Sequence, residues 1–488
     1  MSGTTMEPMS APETSKGLAS GSLGVWAIVF FVMSAAAPLT VVASGAPLTV
    51  YLAGIGGPGA MLAAGVVLML FASGFTAMTR YVRDAGAFYA YTTEGLGAPV
   101  GSGAAALTTY GYTALLLGFY GFVAFFAQMT AADLFGIDLP WIVWAVLIAA
   151  FIGFLGYRQV DMGAKVLAVL LTAEVALLAV LSLAVLIQGS PEPLTLAPFD
   201  PSNWLTAEGA GGLFVLGFGA YIGFEGTAIY AEEARNPERT IPRATYIAIG
   251  FLGVFYAFTF YCFIAAFGMD GVVAAAQGDF ESLPFVWADE YLGTLALKVL
   301  QVLIVTSFVA CLIAFHNACS RYLFSQGRSG LLPAVLGKAH PKHHSPYVGS
   351  LALTALSVAA LLLTQVVGWD PYLDLGLLAY GTGVVSIVAA QALCAIAVLA
   401  FFGRDRRGHS PLRVVVAPVL AVAGLVTGLY LILTNFVVVT GYTGTVNTVL
   451  MLLPAVAFAS GVAWYAIRRP GSVAAAAEAR AHEEDTVA

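Results

Sequence analysis

Twelve stretches of roughly 20 mostly apolar residues follow one another along this chain, at about 23–52, 58–80, 98–130, 140–157, 162–188, 209–232, 242–268, 291–318, 346–367, 373–402, 412–438 and 444–467. Each is as long as a helix must be to cross a bilayer. The apolar runs are continuous and do not alternate every second residue, which excludes a membrane β-barrel. Only 10% of the 488 residues are charged, against about 25% in a soluble domain, too little polar surface to keep a chain of this length dispersed in water. The expected fold is an all-α polytopic membrane protein of about twelve transmembrane helices.

Charge placement supports that count. With twelve spans, 19 of the 20 Lys and Arg fall on one side, and only Lys298 falls on the other. The opposite loops carry acids, among them Asp133, Asp200, Asp270, Glu281 and Asp370. The positive-inside rule then puts both termini in the cytoplasm, in a cytoplasmic (inner) membrane. Residues 1–20 and 471–488 read as disordered cytoplasmic tails. The first apolar run is too long for a cleaved signal peptide. The four cysteines, Cys262, Cys311, Cys319 and Cys394, lie inside apolar runs without metal-ligand spacing. His340, His343 and His344 sit in a basic loop without Cys or carboxylate companions, so no metal is expected there.

Two spans carry breaks. The first contains Ser34-Ala-Ala-Ala-Pro38-Leu-Thr40, and a proline deep in a helix lacks the N–H and clashes with the preceding turn. The sixth reads Gly217-Phe-Gly-Ala-Tyr-Ile-Gly-Phe-Glu225-Gly226, four glycines and an acid in ten residues. Broken backbone at membrane depth is tolerated where it lines a cavity or is buried in protein. Breaks at corresponding places in two halves point to a transporter site built on inverted repeats. On that reading 21–188 (spans one to five) and 209–402 (spans six to ten) are the repeats, and 411–468 adds two C-terminal helices.

Phe218 to Glu225, running into Ala231-Glu-Glu-Ala-Arg-Asn-Pro-Glu-Arg-Thr-Ile-Pro-Arg-Ala244, resembles the amino acid–polyamine–organocation transporter superfamily. Gly86-Ala-Phe-Tyr-Ala-Tyr91 and the segment Asn317 to Pro333 are similar to other stretches of that family. The resemblance covers spans one to ten in order. It implies a five-plus-five inverted-repeat fold, alternating access, and a small amino acid or amine held between the broken parts of helices one and six. The chain departs from the family's common Gly-Ser-Gly break in helix one, carrying Ala35-Ala-Ala-Pro38 instead. That leans toward an amine, while the overall motif set leans toward an amino acid.

Candidate substrate-binding residues follow. Around the first break these are Ala36, Ala37, Pro38, Leu39 and Thr40; free amides at a half-helix N-terminus, from all of these but Pro38, suit an anionic group. In the sixth span Phe218, Gly219, Tyr221, Ile222 and Phe224 are candidates, the aromatics being able to wall a substrate or stack on a cation. Tyr112 and Tyr380 are named by position. Glu225 is a candidate for ion coupling, because an acid at depth costs at least roughly 2.5 kcal/mol and marks a pathway. Its alternative is a permanently protonated, hydrogen-bonded structural acid. Glu174 is a second candidate for a buried acid. The resemblance implies that Lys165 stands where sodium sits in sodium-coupled relatives, although Asp161 four residues earlier can pair with it. Thr306 and Ser307 offer hydroxyls to an ion or to their own backbone. Protons are expected over sodium as the coupling ion, with no cofactor and no nucleic acid partner. No phosphate-cradling loop, clustered catalytic groups or signalling domain is present in the sequence, which argues against an ATP-driven pump, a membrane enzyme and a receptor.

Overall fold

The computed structural model describes residues 24–82, 88–158, 164–229, 234–343 and 345–468, without the side chains of 164–167, 229 and 468. Ten helical runs among them are long and apolar enough to cross a membrane. The first, Val25–Met78, has 54 residues, enough for two passes, and it turns at Gly54–Gly56. The sixth span adds a further pass in two pieces, Ala210–Gly219 and Gly226–Ile229. The twelve expected spans are thus all helical.

Several helices outrun the bilayer. The eighth, Thr294–Arg328, continues about ten residues beyond its expected end, because Arg321 and Arg328 interrupt the apolar pattern without interrupting helix propensity. Between the seventh and eighth spans lie two short helices, Gly271–Asp279 and Leu283–Leu292.

Burial separates an inner ring from an outer one. The most apolar window of the third span, Ala98–Phe135, is 78% buried, whereas that of the twelfth, Gly444–Ile467, is 17% buried. The third span lies against the tenth, Pro371–Arg404, over a stripe of small residues. A Cβ built on Gly118 would meet the Tyr380 backbone N at 2.9 Å, and one on Gly111 would meet Ser386 at 2.9 Å. In lipid, helices associate through such close backbone approach. The two broken spans run inside this ring, where Gly223 of the sixth lies against Ala35 of the first.

Candidate functional site

The first span breaks at one residue. Proline disfavours the α conformation in the residue before it, and Ala37 turns to the left-handed region at φ 45° and ψ 73°, which costs an L-residue roughly 1–2 kcal/mol. Its N–H closes the preceding turn on Met33 O at 3.0 Å. Pro38 then opens the next turn, where its missing donor is harmless, and Val41–Gly45 widens into a π-turn before Ala46–Ala53. Strain of this kind collects at functional sites.

Four side chains from three other spans hold the break. Cys311 Sγ donates to Ala35 O at 3.3 Å, and Tyr256 Oη donates to Ala36 O at 3.4 Å. The Leu39 N–H donates to the carboxylate of Glu174. Thr40 Oγ1 donates to Ser307 Oγ at 3.0 Å, and Ser307 Oγ donates to Glu174 Oε2 at 2.9 Å. The amides of Ala37 and Leu39, expected to be free, are therefore taken. Thr306 stands apart, its hydroxyl donating to Leu303 O of its own helix at 3.0 Å.

The sixth span does not open into bare backbone. From Tyr221 to Ala228 most N–H groups reach back three residues, as in Tyr221 to Phe218 O at 3.2 Å and Phe224 to Tyr221 O at 3.2 Å. Gly223 departs from this pattern, at φ 115°, a conformation that suits only glycine. Its N–H donates to Glu225 Oε2 at 3.0 Å, and Tyr112 Oη donates to Glu225 Oε1. Glu225, fully buried, thus spans its own break and ties it to the third span.

Between the breaks lies a cavity of about 40 Å³, several times the roughly 10–15 Å³ that one water needs. The first span contributes Ala35, Ala36, Ala37, Thr40 and Ser44, and the sixth contributes Leu216, Gly219 and Ile222. Aromatic walls close it: Phe119 meets Phe315 at 5.0 Å and Tyr380 at 5.9 Å between centroids, and Phe122 meets Tyr372 at 4.8 Å. None of the residues lining it carries a charged side chain. An occupant with an ionised head group would meet hydroxyls, backbone dipoles and ring faces there.

Of the sequence candidates, Ala36, Ala37, Thr40, Gly219 and Ile222 line the cavity, and Tyr380 does too. Pro38 and Leu39 are buried behind it. Phe218 lies against Gly428 of the eleventh span. Tyr221 Oη donates to Met61 O at 2.8 Å, and Phe224 joins Phe71 and Phe75 at 6.0 and 6.4 Å. Tyr112 reaches Glu225 but does not line the cavity. The side chain of Lys165 lies outside the described residues, as do Glu232, Glu233 and His344. Sequence reasoning did not name Phe119, Phe122, Phe308 or Phe315. Phe308, Cys311 and Phe315, at helical spacing on one face, were the available signal.

One rim of the cavity carries its own electrostatics. Phe280 stacks on Tyr51 at 4.7 Å and meets the cavity-lining Tyr372 at 5.7 Å. Beside it, partial burial together with Asp370 and Asp279 raises the Glu281 carboxyl to about 7. Were this rim to open, solvation would return that carboxyl toward its ordinary 4.5, so the closed rim would bind the proton more tightly. Closure is then favoured most below the ordinary value and loses that support as pH rises through about 7. Labelling of a Ser44→Cys variant by an impermeant maleimide is expected to quicken between about pH 5 and about pH 8 more steeply than the rising thiolate fraction alone requires, and adding Glu281→Gln should leave only the thiolate dependence.

The profile of the amino acid permease family matches residues 23–460. The chain belongs to that family, whose members are transporters. It is 25% identical over 285 residues to an uncharacterized transporter of Mycobacterium tuberculosis, covering 56% of this chain and 63% of that protein. It is 28% identical over 223 residues to the branched-chain amino acid permease BcaP of Lactococcus lactis, covering 44% and 45%. It is 31% identical over 172 residues to the gamma-aminobutyric acid permease of Escherichia coli, covering 33% and 35%. The chain thus spans less than two thirds of the length of the curated relatives it matches.

Proposed function

We propose that this chain is a secondary transporter that carries a small apolar amino acid across the cytoplasmic membrane by alternating access, with both termini cytoplasmic and protons as the coupling ion. The observation that carries the substrate class is the cavity between the two breaks, apolar and aromatic in its walls, with hydroxyls and interrupted backbone at one side. The names of two relatives, a branched-chain amino acid permease and a gamma-aminobutyric acid permease, support the same class. A polyamine would call for carboxylates along the wall, and none of the lining residues supplies one. The two breaks fall in spans one and six, in keeping with repeats over 21–188 and 209–402. Proton coupling is favoured by the buried acids at the breaks, Glu174 and Glu225, whose hydrogen-bond partners are hydroxyl and N–H donors. Lys165 remains a second candidate for that role.

Two measurements test this reading. A thermal-shift panel of the purified protein should show stabilisation by apolar L-amino acids and not by putrescine or spermidine. Accumulation in proteoliposomes should follow an inward pH gradient with sodium absent. Stabilisation by polyamines alone would overturn the substrate class, and a strict need for a sodium gradient would overturn the coupling.

A further inference from the structure

Thr40 belongs to two structures at once. It lines the cavity, and its hydroxyl heads a buried chain through Ser307 to Glu174. The direction of that chain is fixed by what Glu174 can do. An ionised carboxylate only accepts, and here it accepts from the Leu39 N–H and the Ser307 hydroxyl. Ser307 in turn accepts from Thr40. In this state the Thr40 hydrogen is committed away from the cavity.

A protonated Glu174 has one O–H that must donate. Leu39 N–H holds one side of the carboxyl, and the acceptor within reach on the other is Ser307 Oγ. Ser307 then turns its own hydrogen to Thr40 Oγ1, and the Thr40 hydrogen is released toward the cavity. One proton enters from solvent, no covalent bond but the new acid O–H forms, and each hydroxyl keeps one hydrogen. We propose that Glu174, Ser307 and Thr40 form a proton-responsive hydroxyl relay that offers the Thr40 hydrogen to a substrate carboxylate when Glu174 is protonated. Substrate and proton then bind together, which is what symport requires. The inference rests on the amino acid reading above and adds to it the residues that link proton to substrate.

The surroundings leave Glu174 free to act in this way. Tyr256 of the seventh span and Cys311 of the eighth face it, and both hydroxyl and thiol donate to the carbonyls of the first break. No ion pair joins Glu174 to a basic group among the described residues. The helix Leu283–Leu292 also packs on the fifth span, but its Tyr291 meets Gln188 and Gly189 at that span's outer end, and Asp289 and Glu290 are exposed. Lys165 lies nine residues away, about 180° around the helix.

The test uses the full chain in lipid. An acid-minus-alkaline infrared difference spectrum of the substrate-free protein should contain a carboxyl stretch that is missing in Glu174→Gln and shifted in Ser307→Ala. An unchanged band in Glu174→Gln, or no band, overturns the relay. With L-leucine as the probe, wild-type affinity should weaken by up to about tenfold per pH unit above the titration of Glu174. Glu174→Gln, whose amide donates to Ser307 as the protonated acid does, should hold the acid-side affinity at every pH, keep leucine exchange and lose pH-driven accumulation. A Gln variant with the wild-type pH slope overturns the proposal. Failure of the wild type to exchange any amino acid would instead strike the transport reading, which the infrared measurement does not depend on.

Discussion

Glu225→Ala is expected to abolish transport and to lower thermal stability sharply, while Glu225→Gln keeps most of the stability. The alanine leaves the Tyr112 hydroxyl and the Gly223 N–H without their buried acceptor. Each stranded group costs about 1–3 kcal/mol, and the unwound turn loses the tie that joins it to the third span. A combined loss on the order of 3 kcal/mol already corresponds to roughly a hundredfold change in an equilibrium. The glutamine retains a carbonyl for the Gly223 N–H, and its amide can donate to Tyr112 in place of accepting. Melting of the detergent-solubilised variants separates the two, and a stable Glu225→Ala protein that still transports would show that the tie is dispensable.

Gly219→Val should eliminate substrate binding with little change in the fold. A Cβ at this position meets the Tyr380 hydroxyl and ring, with Val384 Cγ2 at 3.0 Å. The added methyls must either enter the cavity or drive Tyr380 into it. Gly219→Ala, with a single methyl, should weaken binding by roughly tenfold, equivalent to about 1.4 kcal/mol. Helical content by circular dichroism should stay at the wild-type level in both, and substrate-induced thermal shift should vanish in the valine variant. Retained binding in Gly219→Val would place the substrate elsewhere.

The contrast between Gly219 and its neighbours shows where sequence reading succeeds and where it stops. Pro38 reveals its break directly, because the missing N–H is a covalent fact. Glu225 is legible because an acid at depth demands an explanation. Within the sixth span, however, the aromatic stripe of Phe218, Tyr221 and Phe224 faces the second, seventh and eleventh spans. The adjacent stripe of Gly219 and Ile222 faces the cavity. Large side chains fill space, and a cavity needs space left over, so the smaller stripe is the one that lines it. The walls from Phe119, Phe122, Phe308 and Phe315 were illegible for a related reason. A phenylalanine on a membrane helix reads the same whether it faces lipid, protein or a cavity, and only the packing of three spans decides. The clamp of Glu174, Ser307 and Thr40 joins residues up to 267 positions apart, a proximity no local pattern encodes.

Counterflow of labelled L-leucine into proteoliposomes preloaded with unlabelled leucine is the most direct measure of the central claim, that the cavity between the two breaks carries an amino acid. Exchange needs no driving gradient and so isolates binding and translocation from coupling. The wild type should accumulate label transiently and Gly219→Val should not. Equal counterflow in the two proteins, or none by the wild type with leucine or any other amino acid, would contradict it.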